Sequence, residues 1–495
     1  MITLRKTLLS EFAQLAVVGV LVSHVSAASA QSDPAPWEAF DYPEINNFEM
    51  PALEIFELEN GIRFYLVEDR ELPLIDLTVL VRTGGIQVAD DQVGLQNLVG
   101  SVMRSGGSLN YPDDELNRML ENRAAEIETE IGFSSGSANM NVLADDFEEL
   151  LPVFLDVLVN PAFPEERLQL AITQQRSSIA RRNDDQGSVA NREFQRLIYG
   201  EQSKYARRIE NATLNNITRQ AVVDFHRQAF VSRNMMVGVT GDFNVADMRQ
   251  LLTEAFAAVP SGDQTVLEFP PIDYAFNSGI FLADKPDVNQ SYVLLGHIGG
   301  MRDSPDYAAI QVMNRVLSGG FSSRLMQVVR SELGLAYSVF GSYGSGLYFP
   351  GTFSAGVMTQ SESTAAAIDA IVTQIRRIQD EPISDEELNS TKDQFLNTLV
   401  FQYPGISSVL RERMNNDYAG LPADTFEQLV AQIQQVTAAD VQSVAQRYLR
   451  PDTLQILVVG NAAELGDQLQ RFGEVQAIDI SIDNRISEPA PAGNR

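Results

Sequence analysis

Ile217-Thr218-Arg219-Gln220-Ala221-Val222-Val223-Asp224-Phe225 returns later in the chain as Val436-Thr437-Ala438-Ala439-Asp440-Val441-Gln442-Ser443-Val444. Thr218, Val222 and Phe225 meet Thr437, Val441 and Val444 at a constant offset of 219 positions. Both copies lead into an apolar run that ends in glycine, Met235 to Gly241 and Leu454 to Gly460. Upstream, Phe163-Pro-Glu-Glu-Arg-Leu168 matches Ile383-Ser-Asp-Glu-Glu-Leu388. Earlier still, Asn60-Gly61-Ile62 matches Ser278-Gly279-Ile280, and Gly84-Gly85 matches Gly299-Gly300. Matches in one order at nearly one spacing mean a duplicated chain with two homologous halves.

Each half mixes both structure types. Ile62 to Val67 and Ile75 to Val81 read as strands around a turn. Gln92 to Arg104 places Leu95, Leu98, Val99, Val102 and Met103 at helical spacing. Pro112-Asp-Asp-Glu opens a further helix with acids in its first turn, and Ser384-Asp-Glu-Glu reads as a capping box. Strands and helices follow one another without strict alternation, which predicts an α+β fold in two tandem domains. Residues 51–257 and 278–475 are the expected domains, and the Pro- and Gly-bearing stretch 258–277 is the expected linker. Residues 31–50 read as a strap holding the only tryptophan, Trp37, and 476–495 as a flexible tail.

The chain has 495 residues and a formal charge of −30. That balance excludes nucleic acid as a partner, because phosphate binding needs clustered Lys and Arg. It suits solubility and neutral or cationic partners. Arg5 and Lys6, the apolar run Phe12 to Val22 and Ala28-Ser29-Ala30 form a secretory leader over residues 1–30, with an uncleaved anchor as the alternative. No later stretch predicts a membrane span. Export permits disulfides, but the chain has no cysteine.

Histidine is almost as scarce. His24 lies in the leader, leaving His226 and His297, 71 positions apart in unrelated contexts. A catalytic zinc takes about three protein ligands, mostly His, Cys or carboxylate. The chain therefore predicts no zinc chemistry of its own. Both histidines read as structural.

The first half reads Val81-Arg-Thr-Gly-Gly85, Gly94-Leu-Gln-Asn97-Leu-Val-Gly100-Ser101 and Arg104-Ser-Gly-Gly107. The second reads Leu317-Ser-Gly319-Gly320-Phe-Ser-Ser323-Arg324, then Arg330-Ser-Glu-Leu-Gly334-Leu-Ala-Tyr337. These strings, with the duplication, resemble the pitrilysin/insulinase-type (inverzincin) peptidases over roughly residues 50 to 475. In active members a helix carries His-x-x-Glu-His, two zinc ligands and a base. The resemblance maps those positions onto Asn97, Gly100 and Ser101. The family's third ligand, a Glu on a later helix, falls where this chain has Gln174 and Gln175, and neutral amides are poor zinc ligands. All four positions are vacated.

The second half keeps the family's Arg/Tyr element. Taken alone, Gly319-Gly320 is a turn, Ser323 to Leu333 a helix, Gly334 its left-handed end and Tyr337 a strand residue. A helix-end Arg and a packed strand Tyr would serve structure only. The resemblance instead implies that Tyr337 donates to an oxyanion and Arg330 to a substrate carbonyl, at a zinc held by another subunit. Gly319 and Gly320 would line the substrate site. Phe321 departs from the family, where a third Gly is common.

The resemblance thus implies a zinc-free subunit of a heterodimeric peptidase. A homologous His-x-x-Glu-His partner would carry the zinc, and peptides would be the substrates. Alternatives are a scaffold subunit of a membrane complex or a peptide-binding protein closing as a homodimer. The expected location is periplasmic or otherwise exported, without stable membrane insertion.

Overall fold

The computed structural model describes residues 53–272, 276–402 and 405–482. The leader, the whole strap and the stretch from 483 onward lie outside the described residues. The described residues belong to one compact unit that begins at Met50.

Two six-stranded mixed sheets organise it. The strands are β1 (Glu54–Glu57), β2 (Arg63–Glu68), β3 (Leu74–Val81), β4 (Glu126–Ile131), β5 (Gly136–Leu143) and β6 (Met235–Gly241) in the first half. The second has β7 (Gly279–Asp284), β8 (Gln290–Ile298), the short β9 (Gly300–Met301), β10 (Ala336–Tyr343), the short β11 (Ser345–Gly346), β12 (Thr352–Gln360), β13 (Gln455–Gly460) and β14 (Val475–Ala477). The first-half helices are α1 (Leu95–Ser105), α2 (Asp113–Asn122), α3 (Phe147–Val159), α4 (Glu165–Ala180), α5 (Gln186–Tyr199), α6 (Asn211–Asn215), α7 (Arg219–Ala229) and α8 (Val245–Phe256). The second half adds α9 (Tyr307–Ser318), α10 (Thr364–Asp380), α11 (Asp385–Gln402), α12 (Ile406–Ala419), α13 (Thr425–Gln435), α14 (Ala438–Tyr448) and α15 (Ala462–Leu465).

The sheet orders are β1-β2-β6-β3-β5-β4 and β14-β7-β13-β8-β12-β10. Five strands correspond in order and direction. β2 runs parallel to β6 and β7 to β13, while β3–β5 and β8–β12 are antiparallel. Only the outermost strand differs: β1 lies antiparallel to β2, whereas β14 lies parallel to β7. The α+β expectation stands, and the repeated strings occupy equivalent places. Thr218 caps α7 by accepting from the Ala221 amide, and Thr437 caps α14 by accepting from the Asp440 amide. Phe163 and Ile383, just ahead of α4 and α11, are both buried. Gly241 closes β6 at φ +138°, with a Cβ position only 2.0 Å from the Leu74 oxygen, so only glycine fits.

One face of each sheet packs on its own helices. The first core includes Phe64, Leu77, Val79, Leu98, Val102, Phe154 and Phe256. The second includes Val293, Leu295, Met313, Val339, Phe353, Ile371 and Val458. The opposite faces are covered by an exchange of helices. Val189, Ala190, Phe194 and Ile198 of α5 pack on Ala283, Leu294, Leu457 and Val459 of the second sheet. Leu410, Met414 and Tyr418 of α12 pack on Tyr65, Val67 and Leu80 of the first. The exchange repeats in detail. Gln186 at the start of α5 donates to the Gln290 and Val459 oxygens, and Ser407 at the start of α12 donates to Asp76. At the other ends the Tyr199 hydroxyl donates to the Pro350 oxygen and the Tyr418 hydroxyl to the Ser134 oxygen. A fully buried large apolar side chain is worth roughly 1.5–3 kcal/mol, so several on each helix tie the halves into one unit.

Some boundaries move. α1 begins at Leu95, because Gly94 is left-handed at φ +107°. His297 lies inside β8. The stretch read as a flexible tail from 476 opens with β14 residues, and Ile478 and Ile480 pack beside α5. Ser384 does accept from the Glu387 amide, but the Glu387 carboxylate grips Arg324 instead of completing a capping box.

Candidate functional site

The vacated zinc positions sit on α1, which lies between β4 and α4. Asn97 is half-buried, Gly100 buried and Ser101 exposed. The Asn97 Oδ1 accepts from Gln96 Nε2 at 3.0 Å, and Ser101 Oγ donates to the Leu98 oxygen at 3.3 Å. Gly100 is where helix meets strand. A Cβ there would stand 2.6 Å from the Ile131 nitrogen and 2.9 Å from the Glu130 carbonyl carbon. The Gly100 oxygen accepts from Thr129 Oγ1 at 2.6 Å. Gln174 is exposed and Gln175 half-buried on α4, which packs against α1. These residues do not fit a zinc ion. The donors are amides and a hydroxyl, and the base position has no room for a side chain. Among the described residues no group of three or more His, Cys, Asp or Glu is placed to hold a metal.

Both histidines are satisfied core residues. The His226 Nε2 meets the Leu158 oxygen at 2.9 Å, and its ring stacks on Phe230. The His297 Nδ1 meets the Ile298 oxygen at 2.7 Å, while its Nε2 accepts from the Arg450 amide. Burial pushes each pKa down to about 4, so both rings are neutral at physiological pH.

The Arg/Tyr element stands on the other sheet. Arg330 belongs to a π-helical segment, Met326–Glu332, where the sequence predicts an ordinary helix. A π turn inserts a residue and re-aims side chains, which is frequent at functional sites. Gly334 at φ +61° ends it as expected. β10 then carries a bulge. Ala336 pairs with Thr359 and Val339 with Val357, so Tyr337 and Ser338 together oppose Met358. β10 is an edge strand. Tyr337 is 83% exposed, and the Arg330 guanidinium carbon lies over its ring at 4.7 Å. Neither side chain has a hydrogen bond or ion pair to another described residue.

The Gly-rich turn is shaped by contacts the sequence does not advertise. Ser323 donates through its amide and hydroxyl to the Gly320 oxygen, at 3.0 and 2.6 Å. Arg324, 8% exposed, forks onto both Glu387 oxygens at 2.9 Å, which anchors the turn to α11. Gly319 presses on Arg315, with a Cβ position 2.1 Å from its Cγ, whereas Gly320 at φ +148° faces open space. Phe321 is 73% exposed, and the Arg330 guanidinium lies over its ring at 5.1 Å.

Beyond the exchanged helices the two sheets differ. A cavity of about 160 Å³ on the first sheet is lined by Asp76, Thr78, Glu126, Glu128, Asn139 and Asn141, among others. On the second sheet Phe340 and Met358 are exposed beside Tyr337. Alternation along β4 and β5 could have shown the polar carpet in sequence; the grouping around Tyr337 depends on the bulge.

The family profile described as the peptidase M16 inactive domain matches residues 216–395. Over those residues the chain is similar to a peptidase M16 inactive domain. A "non-peptidase homolog YmxG" of Helicobacter pylori is 24% identical over 435 residues, covering 86% of this M16-type chain and 94% of that protein. An "uncharacterized zinc protease" of Rickettsia felis is 20% identical, covering 82% of this chain and 97% of its own length. Among solved structures, an M16 inactive domain from Pseudomonas fluorescens superposes with a TM-score of 0.76 at 22% identity, covering 83% and 98% of the two chains. The periplasmic protease PqqL of Escherichia coli superposes with a TM-score of 0.69 at 14% identity, over 85% of this chain but 47% of PqqL. The pitrilysin/insulinase-type resemblance and the fold it implied both hold.

Proposed function

We propose that this M16-type chain is the zinc-free subunit of a two-chain metallopeptidase. A homologous His-x-x-Glu-His subunit holds the zinc, and the parts of the two sheets left uncovered by the exchanged helices form half of a peptide-enclosing chamber. One observation carries the reading: exposed Tyr337 and half-buried Arg330 contact each other and are placed by a π segment and a bulge, while α1 has no usable metal donors. The match to about half of the longer PqqL chain supports an assembly built from two such units.

In that assembly the residues of the partner would hold the zinc, which would supply Lewis acidity toward the scissile carbonyl. The Tyr337 phenol donates to the oxygen on which charge develops, and Arg330 offers N–H donors to a neighbouring peptide carbonyl. Gly319 and Gly320 lend backbone to the substrate because no side chain stands in the way. We also propose export with cleavage near Ala30, which the mass of the mature N-terminus checks.

The deciding experiment isolates the native protein, identifies what accompanies it and measures zinc per complex. A His-x-x-Glu-His companion and about one zinc per pair are expected. Recovery of the chain alone, or inside a membrane complex lacking peptidase activity, overturns the reading.

A further inference from the structure

Phe321 follows Gly319 and Gly320 in the Gly-rich turn. Its side chain is 73% exposed and so takes no part in the core. Its ring meets the guanidinium of Arg330, at 5.1 Å from centroid to carbon, and Tyr337 meets the same guanidinium at 4.7 Å. Both distances lie inside the roughly 6 Å reach of a cation–π contact. Arg330 has no carboxylate partner among the described residues, although the chain carries 66 acidic residues against 36 basic ones. Its side chain is therefore held by two rings rather than by an ion pair.

That difference matters chemically. A carboxylate would occupy the N–H donors of the fork, whereas an aromatic face engages the π surface of the cation and leaves the in-plane N–H groups free. The turn that bears Phe321 is itself fixed. Gln327 donates to the Phe321 oxygen at 2.9 Å, and the Arg324–Glu387 fork anchors the adjoining residues. The ring thus stands on a supported backbone.

We propose that Phe321 is a positioning residue that, with Tyr337, holds the Arg330 guanidinium ready for a planar oxygen acceptor of the peptide. The proposal rests on the trans role of Arg330 set out above. Phe321 touches no reacting atom; it acts through Arg330. Restricting a flexible side chain before binding lowers the entropy lost when the ligand arrives, so the effect falls on binding more than on turnover.

The test uses the assembled complex and, separately, this chain alone. Phe321→Leu keeps bulk and removes the ring, Phe321→Gly removes both, and Phe321→Tyr keeps the aromatic face. In peptide hydrolysis by the complex, Leu and Gly should raise KM about three- to tenfold with kcat within about twofold, and Tyr should restore the wild-type value. In the isolated chain, the Arg330 Nε–H resonance should carry a ring-current shift that Leu and Gly abolish and Tyr retains. Because Phe321 is exposed, melting temperatures should not move. An unchanged KM in Phe321→Leu, where Arg330→Ala raises it, overturns the proposal. If Arg330→Ala itself leaves KM unchanged, the trans role is what falls, and the ring clamp is then decided by the Nε–H resonance alone.

Discussion

Replacing Gly100 by alanine tests whether the zinc site is closed by shape as well as by composition. The added Cβ would stand 2.6 Å from the Ile131 nitrogen, where ordinary contact begins near 3.4 Å. Helix α1 must therefore retreat from β4 by about 0.8 Å, the difference of those distances. Leu98, Val99, Val102 and Met103 on the same helix are fully packed, so the retreat loosens contacts along its length. Overpacking of this kind costs about 1–3 kcal/mol, and the higher helix propensity of alanine returns up to about 1 kcal/mol. The 2.6 Å bond from Thr129 to the Gly100 oxygen is strained as well. The net expectation is a loss of about 1–2 kcal/mol. For a unit of this size that corresponds to a melting temperature lower by about 1–2 °C, smaller per kcal/mol than in short domains. Differential scanning calorimetry of Gly100→Ala, with exposed Ser101→Ala as the control, measures it. Asn97→His with Gly100→Glu and Ser101→His should be less stable still and should not acquire tight zinc binding in a metal titration. If Gly100→Ala melts at or above the wild-type temperature, or the triple variant binds zinc tightly, the steric reasoning is wrong.

Tyr337→Phe in the reconstituted complex should lower kcat about a hundredfold to a thousandfold with association intact, as expected for loss of one oxyanion donor; full activity would make Tyr337 a packing residue. The neutral burial of His226 and His297 should make stability depend on pH. Each folded pKa is depressed to about 4 from 6.5, so the contribution is complete above pH 6.5 and is lost as pH falls towards 4. The size is on the order of 3 kcal/mol per histidine, and denaturant midpoints of His226→Asn against wild type between pH 7.5 and 4.5 should show a shallower fall in the variant. Phe194→Ala, at the centre of the exchanged α5, should cost about 3–5 kcal/mol and lower a single cooperative transition of both halves; two separate transitions in the wild type would refute the tie between them.

The duplication, the α+β class and the shortage of His and Cys were legible in the sequence, because each rests on local chemistry or composition. Thr218 and Thr437 cap equivalent helices, Gly241 and Gly334 take backbone forms other residues avoid, and absent His and Cys cannot be supplied by folding. The repeated Tyr199 and Tyr418, also 219 positions apart, were equally visible, but their shared task was not. That task depends on α5 and α12 crossing to each other's sheets, a choice set by long-range burial that helical periodicity does not encode. The same holds for the site. Sequence placed Arg330 and Tyr337 seven positions apart, but a π segment and a one-residue bulge decide where they point. Both are departures from regular hydrogen bonding, and only the packing of β10 against β12 and α9 selects them. The joining of Phe321 to Arg330 was decided there too, since a turn residue and a helix residue meet only once the chain has folded back between them.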